Sequence, residues 1–318
     1  MKKLLFLFIL GLGTAAFLCF YAAKIVHTKH TLNEPVLLQV KGGESLKDIA
    51  LDLENNKLVS KAFYFILYSK IKKIYPKVKA GEYLIEGDVS IKDIADILTG
   101  GKVYLRKITF PEGRTAVEAV NTLLDNEFLE DDVEPFEDGE ILPETYTFSR
   151  GDSRQSIVNK AKKDLQNVLE QAWNERDVDL PLKNKQELLI LASIVEKETG
   201  VAEERPQVAS VFVNRLKKGM LLQTDPTVIY AITRGKTELG RALTRKDLEI
   251  DSPYNTYKYT GLPPSPICNP GKAAIMAVAH PDKTPYLYFV ASGTGGHNFA
   301  RTLNEHNANV KKWRSLSK

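Results

Sequence analysis

The 318 residues are enough for two domains, at least one with a full core, and apolar and charged shares of 43% and 26% are those of a folded chain. The net charge of +4 is slight. No basic stripe interleaved with aromatics, zinc-finger spacing or RNA-binding motif is present, so a nucleic-acid partner is not expected. Two distant cysteines, Cys19 and Cys268, and five histidines without an HExxH pair argue against a disulfide and a metal site.

Lys2 and Lys3 precede an uncharged stretch, residues 4–23, LLFLFILGLGTAAFLCFYAA. About 20 residues rising 1.5 Å each match roughly 30 Å of bilayer hydrocarbon, so a single transmembrane helix is expected. The two lysines on the short side orient the body outside the cytoplasm. A cleaved leader with small residues at Thr14 and Ala16 is the alternative. Residues 1–30 then form anchor and linker.

VLLQV (36–40) reads as a strand, and Ser45 with Asp48 three residues on caps a helix whose apolar face is Leu46, Ile49, Ala50 and Leu53. A second helical stretch follows Ser60, GEYLI (81–85) is a strand, and SIKDIADIL (90–98) is another capped helix closed by Gly100 and Gly101. SLKDIA at 45–50 and SIKDIA at 90–95 differ at one position. Two independently capped helices converge on such a string, but VKGGESLKDIA also resembles the opening of a LysM domain. That resemblance implies a small peptidoglycan-facing module over residues 31–104.

From Val103 a strand leads to PEGRT and an N-cap at Thr115. Residues 125–144 are acid-rich, as solvated loops are. Asn184 with Glu187 starts a helix that Gly200 ends, and Leu188 to Val195 is apolar all round, which marks a buried helix. This helix surfaces on Glu196, Lys197 and Glu198. Residues i and i+2 of a helix project about 200° apart, so the two acids cannot share one bond, and at most one is a catalyst. Periodicity prefers Glu196 weakly, because Ala192 and Ser193 one turn below leave room beside it. An apolar surround would hold such a carboxyl protonated and fit for general acid work. The plain alternative is two acids paired with Lys197, Arg205 or solvent. A second amphipathic helix ends at Gly219, Gln223 to Thr227 crowd before an apolar helix, and residues 252–271 make a loop rich in Tyr, Asn, Thr and Pro. Such a loop offers flat faces and amide partners to sugar rings in a shape that prolines fix.

ASIVEKET, VFVNRL, LQTDPTVIY, SPYNTY, GLPPSPICNPG and EHNANV, in that order, resemble the endolytic murein transglycosylase, or YceG-like, family over most of residues 105–315. Ser265 and the string DGEILPETY are less typical of that pattern. The resemblance implies cleavage inside peptidoglycan glycan strands, at the bond from N-acetylmuramic acid to N-acetylglucosamine, leaving a 1,6-anhydro end and terminating nascent strands. It places the catalytic carboxyl on the first acid of VEKE, Glu196, and implies an inner-membrane enzyme of bacteria working outside the cytoplasm, beside cell-wall synthases. One carboxyl suffices, since the C6 hydroxyl of the muramoyl ring attacks its own C1. No metal or organic cofactor is needed. Gln223, Asp225, Thr227, Tyr254, Asn255, Thr256 and Asn269 are the expected cleft residues, with Tyr230 a weaker choice that packing also explains. A non-catalytic peptidoglycan-binding scaffold for synthases and a hydrolase remain alternatives. The expected fold is α+β: a transmembrane helix, a small LysM-like module, and a helix-rich catalytic domain (105–318) with a modest sheet.

Overall fold

The computed structural model describes residues 2–316, without the side chains of residues 2–8, 15, 18 and 19. The chain divides into two compact units, residues 1–106 with 147–151, and residues 107–146 with 152–318. The first unit begins with helix α1 (Lys2–His27) and strand β1 (His30–Thr31). Among the described residues no helix is long and apolar enough to cross a membrane. That corrects the expected transmembrane helix. The sequence argument rested on a run of about 20 residues, and residues 4–8, 15, 18 and 19 of that run lie outside the described side chains, which leaves too short an apolar stretch among the described ones.

Strand β2 (Val36–Val40), helices α2 (Leu46–Asn55) and α3 (Ala62–Lys72), and strand β3 (Gly81–Ile85) follow in a β–α–α–β order. β2 and β3 pair antiparallel, Val36 opposite Ile85 and Val40 opposite Gly81. Leu38 and Val40 alternate inward with Tyr83 and Ile85, as one buried face of a two-residue period requires. Ser45 caps α2 by accepting from the Asp48 N–H. Strand β4 (Asp88–Val89) pairs with β1, and a full Ser90–Asp93 capping box starts α4 (Ile91–Thr99). Ile49, Leu53, Phe65, Ile94 and Leu98 fill the core between them. Glu82 is a buried acid in β3 whose carboxylate Arg106 holds through Nε at 2.8 Å, with Arg150 at 3.5 Å. The Arg106 hydrogen bond keeps this carboxyl below its ordinary range against the cost of burial.

Strands β5 (Arg106–Thr109) and β6 (Thr145–Phe148) form a two-stranded sheet. Between them lies α5 (Ala116–Leu124), opened by a Thr115–Glu118 capping box. With α5, the second unit holds α6 (Arg154–Glu175), α7 (Lys185–Glu198), α8 (Arg205–Lys217), α9 (Asp225–Thr233), α10 (Lys272–Ala279), the antiparallel pair β7 (Tyr288–Ala291) and β8 (His297–Ala300), and α11 (Leu303–Leu316). α7 is the central rod. Asn184 accepts from the Glu187 N–H at its start, and every residue from Leu188 to Val195 is buried. It packs against α6, α8, α9 and α10. Each fully buried Leu or Ile contributes about 1.5–3 kcal/mol, so this apolar girth fixes the helix firmly and determines where its last turn emerges.

Candidate active site

Small residues let a loop close on α7. The Ser193 hydroxyl donates to the Ile190 carbonyl and accepts the Ile267 N–H at 3.0 Å, and the buried Cys268 thiol meets the Ser193 carbonyl. The proline-rich loop ahead of α10 is thereby held along the helix that carries both candidate acids. Successive residues of a helix turn by about 100°, so Glu196, Lys197 and Glu198 leave the last turn in three directions.

Glu196 points to the turns around Gly113 and Gly271. Its Oε2 accepts the Gly271 N–H at 2.9 Å, and Arg205 Nη2 lies 3.5 Å from Oε1 and 3.4 Å from a Glu112 oxygen. The side chain is 5% exposed. Burial raises its carboxyl above the ordinary value, the Gly271 hydrogen bond opposes that, and Glu112 adds to the rise. A Cβ on Gly271 would stand 1.9 Å from Glu112 Oε1, so the Glu112 side chain would have to move away from Arg205 to admit one.

Glu198 points the other way, into a groove of about 380 Å³ that it lines with Arg215, Gln223, Asp225, Tyr257 and Tyr288, among others. Its Oε1 accepts a hydrogen bond from the Thr224 hydroxyl. Burial pushes this carboxyl up, and Asp225 pushes in the same sense, while the Thr224 hydroxyl, His297 and Arg215 oppose it. Arg215 is a buried cation whose guanidinium donates to the carbonyls of Leu222 at 2.8 Å and Leu287 at 2.7 Å and lies over the Tyr288 ring. None of those partners neutralises it. A positive charge therefore stands on the groove wall that Glu198 shares. His297 is anchored by Glu204, through Nδ1 at 2.7 Å and its backbone N–H at 2.9 Å.

The expected cleft residues divide by exposure. Gln223 and Asp225 line the Glu198 groove, and Asp225 accepts from the Tyr257 hydroxyl at 2.5 Å. Thr227, Asn255, Thr256 and Asn269 are buried, and their polar atoms are committed within the chain. Thr256 Oγ1 accepts the Thr224 N–H at 3.1 Å and pairs with the Thr227 hydroxyl, and Gln223 is held at φ 47° by its N–H to the Thr256 carbonyl. Asn255 donates to the Leu248 and Ile250 carbonyls. Asn269 accepts from Gly139 and donates to Arg114. Thr227, Asn255 and Thr256 shape the loops that carry the Glu198 groove, whereas Asn269 ties the Gly113 and Gly139 turns together. Tyr254 donates to or accepts from Ser265 at 2.6 Å and packs its ring on Tyr230, whose hydroxyl donates to the buried Asp138 at 2.7 Å. Tyr230 lines a second groove, of about 460 Å³, with Lys197, Arg114, Thr115 and Lys236. Glu196 is absent from the lining of both grooves. Sequence reasoning missed Arg215, Tyr257, Glu112 and Asp138. Tyr257 lies inside SPYNTY, and Arg215 inside VFVNRL, but only folding brings them to Glu198. Among the described residues no group of His, Cys, Asp and Glu could hold a metal ion.

The model of the YceG-like family matches residues 38–312. The chain belongs to the YceG-like family. A relative from Bacillus subtilis bearing the name endolytic murein transglycosylase is 34% identical over 322 residues, covering 90% of this chain and 86% of the relative. One of the same name from Streptococcus pneumoniae is 28% identical over 326 residues and covers 86% of this chain, which spans 58% of that relative's length. The crystal structure of a YceG-like protein from Listeria monocytogenes superposes with a TM-score of 0.52 at 33% identity, covering 86% of this chain and 99% of that one. The six sequence strings lie within the stretch that the YceG-like model matches.

Proposed function

We propose that this chain is an endolytic murein transglycosylase, cleaving peptidoglycan glycan strands between N-acetylmuramic acid and N-acetylglucosamine, and that Glu198 is its acid and base. The name shared by its relatives supports the reaction. The assignment within the motif rests on one observation: Glu198, of the two acids, lines an open groove together with Gln223, Asp225 and Tyr257. This replaces the first acid of VEKE, which resemblance and periodicity favour.

Burial raises the Glu198 carboxyl above its ordinary value and so favours the protonated form that a general acid needs. It gives that proton to the glycosidic oxygen as the bond from C1 breaks, and the departing N-acetylglucosamine leaves with a hydroxyl. The carboxylate then takes the proton of the C6 hydroxyl, whose oxygen bonds to C1 and closes the 1,6-anhydro ring. No water is consumed, and the acid is restored. The transient carboxylate forms beside the unneutralised Arg215 and the amino end of α9, both of which favour negative charge. The tyrosine rings of the groove offer flat faces to sugars.

Glu196 is the second reading, favoured by its own raised carboxyl. Digesting peptidoglycan with wild type, Glu198→Gln and Glu196→Gln and weighing the muropeptides decides. Glu198→Gln is expected to abolish anhydro ends, which are lighter by one water than reducing ends. An active Glu198→Gln with an inactive Glu196→Gln returns the role to Glu196; reducing ends without the anhydro ring indicate a hydrolase; no cleavage by wild type supports a scaffold.

The substrate lies outside the cytoplasm, so the second unit works there, beside the synthases that extend the strand. The β–α–α–β order of the first unit supports its reading as a LysM-like glycan-binding module.

A further inference from the structure

The last turn of α7 and the first turn of α9 meet along a seam, and neighbouring residues on each side of it face different grooves. Glu198 and Asp225 line the groove assigned to the reaction, while Lys197 and Pro226 line the second. One residue step on either helix moves from one groove to the other. The second groove, at about 460 Å³, falls in the range of about 300–1,000 Å³ typical of ligand sites. Its wall mixes signs. Arg114, Lys197 and Lys236 supply positive charge, and Glu112, Glu118 and Glu238 negative. Arg114 and Glu118 pair with each other, and Glu112 with Arg205, whereas Lys236 and Glu238 stand exposed at the rim. Ile229, Tyr230 and Ile267 form an apolar floor, with the Tyr230 hydroxyl fixed by Asp138.

A linear glycan needs one groove. Two grooves that diverge from one seam beside the acid suit a branched polymer, and murein is branched, because each muramoyl residue bears a peptide on its lactyl group. We infer that the second groove holds the stem peptide of the muramoyl residue being cleaved, with Lys197 and Lys236 facing its carboxylates and Glu238 facing the free amine of an uncross-linked diamino acid. The inference rests on the reaction assigned to the first groove. The apolar floor takes the small alanine side chains of such a peptide, and the balanced charge rejects neither end of a zwitterion.

The test compares uncross-linked glycan strands bearing peptides with the same strands stripped by an amidase, for wild type, Lys236→Glu and Glu238→Lys. Both positions are exposed, so the fold tolerates the reversals. Wild type is expected to cleave peptide-bearing strands with a kcat/KM at least about tenfold higher, a factor worth about 1.4 kcal/mol, and each reversal to bring that ratio toward one. Calorimetry with N-acetylmuramoyl-pentapeptide is expected to show binding by wild type that Lys236→Glu weakens. Equal wild-type rates on the two substrates, with anhydro ends formed from both, overturn the peptide groove and leave the reaction standing. A wild-type preference that neither reversal changes also overturns it. Absence of anhydro ends from both substrates counts against the reaction itself, and the calorimetry then decides the groove alone.

Discussion

Glu198 sits where the ordinary carboxyl behaviour is reversed. Burial raises it, the nearby Asp225 adds to the rise, and Thr224, His297 and Arg215 restrain it. Above the unperturbed 4.5 and below the raised value, the folded chain holds a proton that the unfolded chain has released. The protonated acid therefore adds stability that is complete below 4.5 and is lost as pH rises through the folded value. Replacing Glu198 with Gln removes this loss, so the melting temperature of the variant should fall less steeply between pH 4.5 and neutrality than that of wild type, as differential scanning calorimetry would record. On the role proposed for Glu198, kcat should decline as pH rises past the raised carboxyl, because the proton donor is lost. Glu196 and Asp138 are raised for the same first reason, burial, so the comparison must be made variant against wild type.

At the scale of elements, the site depends on turns rather than on long helices. Gly139 adopts φ +79°, and a Cβ there would stand 2.5 Å from Pro266 in the loop that lies along α7. Gly139→Ala combines a left-handed backbone with a collision, and is expected to cost about 2 kcal/mol or more in urea denaturation. Thr115 caps α5 and its hydroxyl also donates to the Gly235 carbonyl at 2.8 Å, tying α5 to the turn after α9. Thr115→Ala should cost about 1 kcal/mol as a lost cap, read from the same denaturation curves, whereas Thr115→Ser should restore most of it.

At the scale of the whole molecule the described residues form two separate cores, one around Leu53, Phe65 and Leu98 and one around Leu188, Leu191 and Phe212. Each is closed by its own fully buried side chains, so Leu53→Ala and Leu188→Ala should each cost about 2–5 kcal/mol in a different unit. Calorimetry is expected to show the first substitution lowering one transition and the second lowering another. A single transition moved equally by both would contradict two cores.

The sequence by itself determined the local signals. Asn184, Ser45, Ser90 and Thr115 each cap the helix they announce, because a short polar side chain beside an apolar period satisfies the orphan N–H groups without help from elsewhere. The run from Leu188 to Val195, apolar but for Ser193, foretold a helix buried on all sides, and the ordered strings foretold the family. Only the tertiary structure decided which acid meets a groove. Two residues of spacing separate Glu196 from Glu198 on one helix turn, and nothing local says whether α9 or the Gly113 turn packs beside it. Nor could the sequence tell that Asn255, Thr256, Thr227 and Asn269 spend their hydrogen bonds within the chain. Whether an amide faces a ligand or a neighbouring loop depends on which segments distant in the chain close over it, and that is a property of packing alone.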